Sequence, residues 1–232
     1  MMARGRLVEL RRDEGISLAE LIVAIMVFGI VLAVVTTTFI SLTKATAQAR
    51  SIDANTRAAS NGMSELTRVV RGARTVPVPA SVTTGDLPAF TEAKSESLTV
   101  ATAANLDTSI TTAPRRAQFV LDGSRRLIEN VTAAQLYQTS YYQFTGATTS
   151  RTLTGPVATA ASSGAPLFTY YDVTGVKLVA ADPSAGLTRA QMDTIGSVAI
   201  ALSIDSTTTF GSSGVTLTNT VGLPNLDRGA KP

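Results

Sequence analysis

Residues 15–35 read GISLAELIVAIMVFGIVLAVV, and this stretch decides how the rest of the chain is interpreted. Residues 16–35 contain only Ser17, Glu20 and Gly29 as departures from plainly apolar side chains. A helix of this length, at about 1.5 Å per residue, crosses about 30 Å of hydrocarbon. The stretch therefore predicts a membrane-spanning helix.

The basic residues around this helix indicate its orientation. Arg4, Arg6, Arg11 and Arg12 precede it, whereas the next basic residue, Lys44, lies well beyond its end. Because cytoplasmic flanks are enriched in lysine and arginine, we expect the N-terminus in the cytoplasm and the rest of the chain exported. A cleaved secretory signal peptide is the alternative, but its apolar core is only about 7–15 residues long.

The composition restricts the chemistry open to the protein. The 232 residues include no cysteine and no histidine, and the formal net charge is only +3. These absences exclude disulfides, thiol catalysis, histidine-based triads and histidine-bound zinc. The aspartates at 182, 193, 205 and 227 lack the spacing of a calcium loop. We therefore expect no enzymatic activity, no cofactor and no metal ion.

Glu20 interrupts the apolar run and needs an explanation. An ionised carboxylate inside a membrane helix costs about 2–3 kcal/mol or more, so such a residue usually has a partner or a function. The segment GISLAEL, residues 15–21, resembles the cleavage and methylation motif of type IV prepilins. In that motif a glycine precedes an apolar helix whose fifth residue is glutamate.

The resemblance assigns a role to each residue of the motif. It implies that Gly15 ends a leader peptide, that prepilin peptidase cuts between Gly15 and Ile16, and that Ile16 is N-methylated. It also implies that Glu20 acts in assembly, where its carboxylate faces the N-terminal amine of a neighbouring subunit. A buried carboxylate would then have a positively charged partner.

The same resemblance implies a function and a location. The protein would be a structural subunit of a type IV pilus or a type II secretion-like pseudopilus, with other pilin or pseudopilin subunits as partners. It would lie among inner-membrane lipids of a bacterial cell and then enter a periplasmic or extracellular filament. Three looser similarities imply a J-type minor pseudopilin or related minor pilin: SELTRVVRGAR (64–74), PLFTYYDVTG (166–175) and AQMDTIGSVAIAL (190–202).

Two other readings remain open. A monomeric single-pass membrane protein with an exported domain that binds a ligand or a cell-wall polymer would carry a similar anchor. A DNA-uptake pilus would add nucleic acid as a partner, contacted through a patch of arginines. The candidates for that patch are Arg68, Arg71, Arg74, Arg115, Arg116, Arg125 and Arg126. Ordinary ion pairs on a solvated surface explain the same residues equally well.

Beyond the apolar run, residues recur at spacings of three and four, which predicts that the helix continues with one apolar face. This stripe comprises Leu42, Ala45, Ala49, Ile52, Thr56, Ala59, Met63, Leu66, Val70 and Ala73. Because Pro77 and Pro79 cannot continue a helix, we expect it to end near Arg74. Its alanines and threonine would form a weak coiled-coil seam, so we expect the stripe to pack on a sheet.

Downstream, segments rich in β-branched residues predict strands. They are ESLTVATAANL (96–106), AQFVLDGSRRLIENV (117–131), PLFTYYDV (166–173), GVKLV (175–179), SVAIALSID (197–205) and GVTLTNTVGL (214–223). Residues 137–166, rich in small and polar side chains, predict a long surface excursion or an irregular strand pair.

The dipeptide Asp122-Gly123 predicts a two-residue hairpin turn. This register would place Ile128 on the core face beside Phe119. It would also place Arg116 opposite Glu129 on the wetter face.

These elements together predict an α+β protein in which a long N-terminal helix, half transmembrane and half amphipathic, packs on an antiparallel sheet. Pilins share this plan. We expect a cytoplasmic leader at 1–15, a transmembrane and assembly helix at 16–41, the amphipathic half of the helix at 42–76, and an exported β-rich head at 77–232.

Overall fold

A computed structural model describes residues 17–80, 86–103, 113–138, 140–204, 207–208, 211–212 and 214–226. The elements, in chain order, are α1 (Leu18–Arg71), β1 (Phe90–Ala93), β2 (Leu98–Thr102), β3 (Arg115–Leu121), β4 (Leu127–Ala133), β5 (Gln135–Tyr137), β6 (Tyr141–Gln143), β7 (Thr148–Thr154), α2 (Ala160–Ser163), β8 (Phe168–Asp172), β9 (Lys177–Leu178), α3 (Arg189–Thr194), β10 (Ile195–Ile204), β11 (Thr207–Thr208), β12 (Gly211–Ser212) and β13 (Val215–Gly222). One long helix followed by antiparallel strands confirms the predicted α+β layout.

The chain divides into two compact units, Met1–Ala47 and Gln48–Pro232. In the first unit, α1 begins at Leu18, and the described side chains are exposed except for the half-buried Ala47. In the second unit, the C-terminal turns of α1 pack with two main sheets. The packed core that the structure describes therefore belongs to the second unit.

The strands of the second unit form two main antiparallel sheets. The first has the order β1-β2-β3-β4-β7, and the second has the order β13-β10-β8-β9. A backbone hydrogen bond of 2.9 Å from Phe168 N to Ser95 O and a bridge between Val157 and Ile204 connect segments of the two sheets. Each predicted strand segment contains an observed strand, so these predictions are confirmed.

One face of α1, continued by Ala73 just beyond its end, supplies the centre of the core. Ala59, Leu66, Val70 and Ala73 are fully buried, and Met63 is nearly so. These residues pack with residues of both main sheets, which confirms the predicted helix-on-sheet packing for the C-terminal half of the stripe. The remaining members of the stripe, Leu42, Ala45, Ala49, Ile52 and Thr56, are exposed.

α1 ends at Arg71, slightly before the predicted end near Arg74. Gly72 N still donates to Arg68 O at 3.2 Å, but Arg74 N donates to the carbonyl of Ala101 in β2 at 2.9 Å. The backbone beyond Arg71 thus pairs with the first sheet, and this pairing ends the helix before the prolines are reached.

The predicted two-residue turn at Asp122-Gly123 is wrong. β3 and β4 pair with Phe119 opposite Glu129, so their connection comprises residues 122–126. Because the register differs from the predicted one by an odd number of residues, the side chains of β4 change faces. Glu129 therefore shares the core face with Phe119, whereas Ile128 takes the face that carries Arg116.

The side chain of Asp122 explains the longer connection. Its Oδ1 accepts hydrogen bonds from the backbone N–H groups of Ser124 at 2.9 Å and Arg126 at 2.8 Å. Arg125 adopts a positive φ of 58°, which reverses the chain between these bonds. An aspartate that binds its own downstream backbone favours this wider loop over the tight turn.

Residues 137–166, predicted to form a long surface excursion or an irregular strand pair, contain strands. β7 pairs with β4 along the edge of the first sheet, and β5 pairs with β6 as a separate hairpin. The sequence of β7, TTSRTLT, has a single large apolar residue, Leu153. Apolar alternation therefore cannot reveal this strand, and of the two predicted alternatives the paired strands favour the irregular strand pair over the surface excursion.

Gly62 lies where α1 approaches the sheets most closely. A Cβ atom at this position would lie 2.9 Å from Thr154 Cγ2 and 3.2 Å from Leu202 Cδ2. We expect Gly62→Leu to lower the free energy of unfolding by about 2–3 kcal/mol, because the larger side chain overpacks this contact. The measurement is urea unfolding of the full chain in a non-ionic detergent. Asn61→Leu, on the exposed face, is the control and should change stability by less than about 0.5 kcal/mol; equal effects would contradict the packing argument.

Candidate functional site

The residues of the predicted motif divide between described and undescribed parts of the chain. Gly15 and Ile16 lie outside the described residues. Glu20 lies in the first turn of α1 and is exposed. Its spacing from Ser17 is that of a helix-capping box, in which the glutamate would accept a backbone hydrogen bond. The Glu20 carboxylate nevertheless makes no hydrogen bond or ion pair with any residue that the structure describes, so capping does not account for it.

The segment that follows Glu20 presents apolar side chains on every face. Ile25 is 63% exposed and Phe28 is 67% exposed, and no described side chain between Leu18 and Ile40 is buried. By length and composition, α1 is able to cross a membrane, although a signal sequence near the N-terminus meets the same criterion. Such a surface is stable only when lipid or other protein covers it.

Threonine side chains in this part of α1 satisfy their own hydroxyl groups. Thr36 Oγ1 donates to Leu32 O at 2.7 Å, and Thr38 Oγ1 donates to Val34 O at 2.8 Å. Similar bonds are made by Thr37, Thr43 and Thr46. Because each hydroxyl binds a carbonyl of the preceding turn, these polar groups need no external partner in an apolar environment.

In the second unit, one arginine connects α1 to the first sheet. Arg151 Nε on β7 donates to Glu129 Oε2 on β4 at 2.5 Å, and Arg151 Nη2 lies 2.7 Å from Glu65 Oε1 on α1. Glu65 also pairs with Arg68 one turn along the helix. Glu129 is 1% exposed, so the ion pair replaces water for a carboxylate inside the core.

The pKa values of the two carboxyl groups in this cluster shift in opposite directions. Burial raises the pKa of Glu129, and the charge of Glu65 adds to the rise, while Arg151 only partly offsets it. Burial also acts to raise the pKa of Glu65, but the hydrogen bond and charge of Arg68 and the charge of Arg151 lower it overall. Glu129 is therefore the carboxyl that takes up a proton first as the pH falls.

The role of Glu129 was missed because its predicted position was on the wetter face. A signal was present in the sequence, since Leu127, Glu129 and Val131 alternate along β4 and share one face. An acidic residue between two apolar positions of the same face indicates a buried charge that requires a basic partner. That partner, Arg151, lies in the strand that apolar alternation could not reveal.

The arginines considered as a nucleic-acid patch are mostly engaged in other contacts. Arg125 pairs with Glu96 and Arg126 pairs with Asp122, each at 2.8 Å. Arg115 and Arg116 are adjacent in β3 and therefore face opposite sides of the sheet. This arrangement favours local ion pairs over a common phosphate-binding surface. Within the described ranges, no group of three acidic side chains is placed to hold a metal ion.

Arg151→Met tests the buried ion pair. The change leaves Glu129 charged in the core without its main partner, and we expect the free energy of unfolding at neutral pH to fall by about 3 kcal/mol. In a Glu129→Gln background the same change should cost less than about 1 kcal/mol, because no charge is left unpaired. Urea unfolding of the four variants in non-ionic detergent measures the difference, and equal costs in both backgrounds would contradict the argument.

The pH dependence of this cost has a definite sign. Because the folded-state pKa of Glu129 lies above its ordinary value of 4.5, the folded state binds this proton more tightly than the unfolded state does. The stability contributed by the protonated Glu129 is fully present below about pH 4.5. It is lost as the pH rises through the raised pKa of Glu129 in the folded state. The cost of Arg151→Met should therefore be smaller at about pH 4 than at about pH 7.

Comparison with known proteins gives no assignment for this chain. No protein-family model matches the sequence, and no curated protein matches it significantly. The function is therefore inferred from the motif at residues 15–21 and from the exposed apolar helix that contains its second half.

Proposed function

We propose that the protein is a subunit, of the minor class, of a type IV pilus or a type II secretion-like pseudopilus, assembled through α1. The observation that carries this proposal is the environment of Glu20. Its carboxylate lies at the head of a helix whose N-terminal half has an exposed apolar surface on every face, and no described residue pairs with it. A monomeric anchor has no use for an acidic residue that resists insertion.

Cleavage after Gly15 would create the missing partner. The new N-terminal amine at Ile16 is positively charged at neutral pH, and in a helical array the amine of one copy can approach Glu20 of another. Packing of apolar helices would remove both groups from water, so each would be stable there only with the other present. This is consistent with a carboxylate that finds no partner among the described residues of its own chain.

The C-terminal turns of the same helix provide a second observation in support of the proposal. One face of this segment, which includes Ala59, Leu66 and Val70, is buried in the core, and Glu65 is tied to β4 and β7 through Arg151. A helix anchored in this way would attach the head to the subunits with which its apolar half assembles. In the alternative, a monomeric single-pass protein with a ligand-binding head, this helix would be an anchor alone. Copurification with other prepilin-like proteins separates the two functions.

Processing provides the first test. We expect mass spectrometry of the membrane-extracted protein to find a mature chain that begins at Ile16, and Gly15→Leu to leave the full-length precursor, because the peptidase requires a small residue before the cut. Gly29→Ala is the matched control, since its added Cβ meets no other atom within 4 Å, and it should be processed normally. An unprocessed wild-type chain, or one cut near residue 48, would overturn the proposal.

Glu20→Ala provides the second test. The variant should still insert and be cut after Gly15, because the substitution makes the segment more apolar and leaves the glycine intact. Its incorporation into filaments should fall by about tenfold or more, since the buried amine loses its partner. Crosslinking or copurification with filament partners measures incorporation. Glu20→Asp, which keeps the charge on a shorter side chain, should retain part of it, whereas full incorporation of processed Glu20→Ala would contradict the assembly role.

A further inference from the structure

The outer face of the first sheet, opposite to the core, carries two transverse rows made mostly of polar side chains. The strand register places Thr99, Gln118, Asn130 and Ser150 in one row across β2, β3, β4 and β7. It places Ala101, Arg116, Thr132 and Thr148 in the next row. Most of these residues are half-buried or buried, so the face is not an ordinary solvated surface.

Surrounding segments turn this face into an open groove with a volume of about 540 Å³. Glu92 and Lys94, at the end of β1, form one wall together with Leu187 and Met192. A volume between about 300 and 1,000 Å³ is typical of sites for small ligands.

The hydrogen bonds of the first row leave donors available. Ser150 Oγ donates to Asn130 Oδ1 at 2.7 Å, and Asn130 Nδ2 donates to Gln118 Oε1 at 3.2 Å. Each amide oxygen is thus occupied by the neighbouring strand, and the chain of bonds ends at the Gln118 amide nitrogen. No described residue accepts a hydrogen bond from that nitrogen.

The charged side chains of the groove are also unequally paired, because its acidic group is fully engaged and one of its basic groups is not. Glu92 is saturated, because its carboxylate accepts from Ser97 at 2.8 Å and Thr99 at 3.1 Å and pairs with Lys94 at 3.1 Å. The Arg116 guanidinium lies 5.6 Å from the centroid of the Phe144 ring, and no carboxylate in the described part of the chain lies within 4 Å of it. The groove therefore offers one uncompensated cation beside amide and hydroxyl groups.

We propose that this groove binds an acidic saccharide, with its carboxylate on Arg116 and its hydroxyl groups along the row that contains Gln118 and Asn130. A guanidinium binds a carboxylate through two parallel hydrogen bonds. Sugar hydroxyls both donate and accept, which matches the mixture of amides and threonine hydroxyls on the floor. A phosphate group would be better matched by several convergent cations or backbone N–H groups, which this floor does not present. The site does not depend on the proposed assembly function.

Isothermal titration of the full chain, in a detergent without a sugar headgroup, tests the proposal with three probes. We expect a galacturonic acid trimer to bind at least tenfold more tightly than a neutral galactose trimer or inorganic phosphate. Equal binding of the neutral trimer would remove the role of the carboxylate. Equal binding of phosphate would reduce the groove to a simple anion site, and no binding of the acidic trimer would overturn the proposal outright.

Variants locate the binding in the groove. Arg116→Met should lower the affinity for the acidic trimer at least tenfold, and Arg116→Lys should lower it less, because it keeps the charge but loses the two parallel bonds. Lys177→Met, which removes a positive charge from the second sheet, is the control and should leave the affinity unchanged. A loss in Lys177→Met as large as that in Arg116→Met would indicate nonspecific attraction and contradict the site.

A measurement on the unmodified chain covers the case in which Arg116 variants do not fold. Addition of the acidic trimer should shift the side-chain amide NMR signals of Gln118 and Asn130, while that of Asn219, on β13 of the second sheet, stays in place. Unchanged signals for Gln118 and Asn130 at saturating trimer would overturn the proposal.

Discussion

The described core depends on the close approach of α1 to both main sheets. Gly62 makes this approach possible, because a side chain there would collide with Thr154 on one sheet and Leu202 on the other. Leu66, one turn further along, is fully buried. Burial of a leucine side chain contributes about 2–3 kcal/mol, so a single turn of the helix contributes a substantial part of the stability of an ordinary domain. The face of α1 that is buried is thus defined by small residues as much as by large ones.

Apolar burial alone does not specify which strand meets this helix. The Arg151 guanidinium on β7 lies between Glu129 on β4 and Glu65 on α1, and both carboxylates lose favourable interactions if the strand shifts. A one-residue shift of β7 would move Arg151 to the opposite face and leave Glu129 buried without its partner. The ion pair therefore explains how a strand as polar as β7 is held in one register at the edge of the sheet.

The parts of this structure that sequence predicts are those encoded by periodicity. The apolar stripe of α1 and the β-branched segments were found, because regular spacing of apolar residues directly reflects burial. The β3–β4 register was not found, because it depends on hydrogen bonds from the side chain of Asp122 rather than on a pattern. β7 was missed because it is an edge strand of mostly exposed polar side chains, and the position of Glu129 was missed because its burial is compensated by charge, which hydropathy does not show. In the candidate site, the sequence indicated Glu20 as anomalous but not that it lacks a partner within the described chain.

The threonine hydroxyls and the Glu20 carboxylate, all in the N-terminal half of α1, differ in whether the helix itself can supply a hydrogen-bond partner. A threonine hydroxyl can donate to the carbonyl of the preceding turn, and Thr36 and Thr38 do so. A carboxylate can only accept a hydrogen bond, and within a helix only the N–H groups of the first turn are free to donate one, yet no described residue donates to Glu20. Proximity to the helix N-terminus stabilises the charge of Glu20 by no more than about 1 kcal/mol, which is less than the cost of placing it in hydrocarbon. In the proposed assembly, a positively charged group from outside this helix would offset the residual cost. An apolar surface exposed on all sides, with an acid at its head that no described residue pairs with, therefore favours the proposed assembly through α1 over a plain membrane anchor.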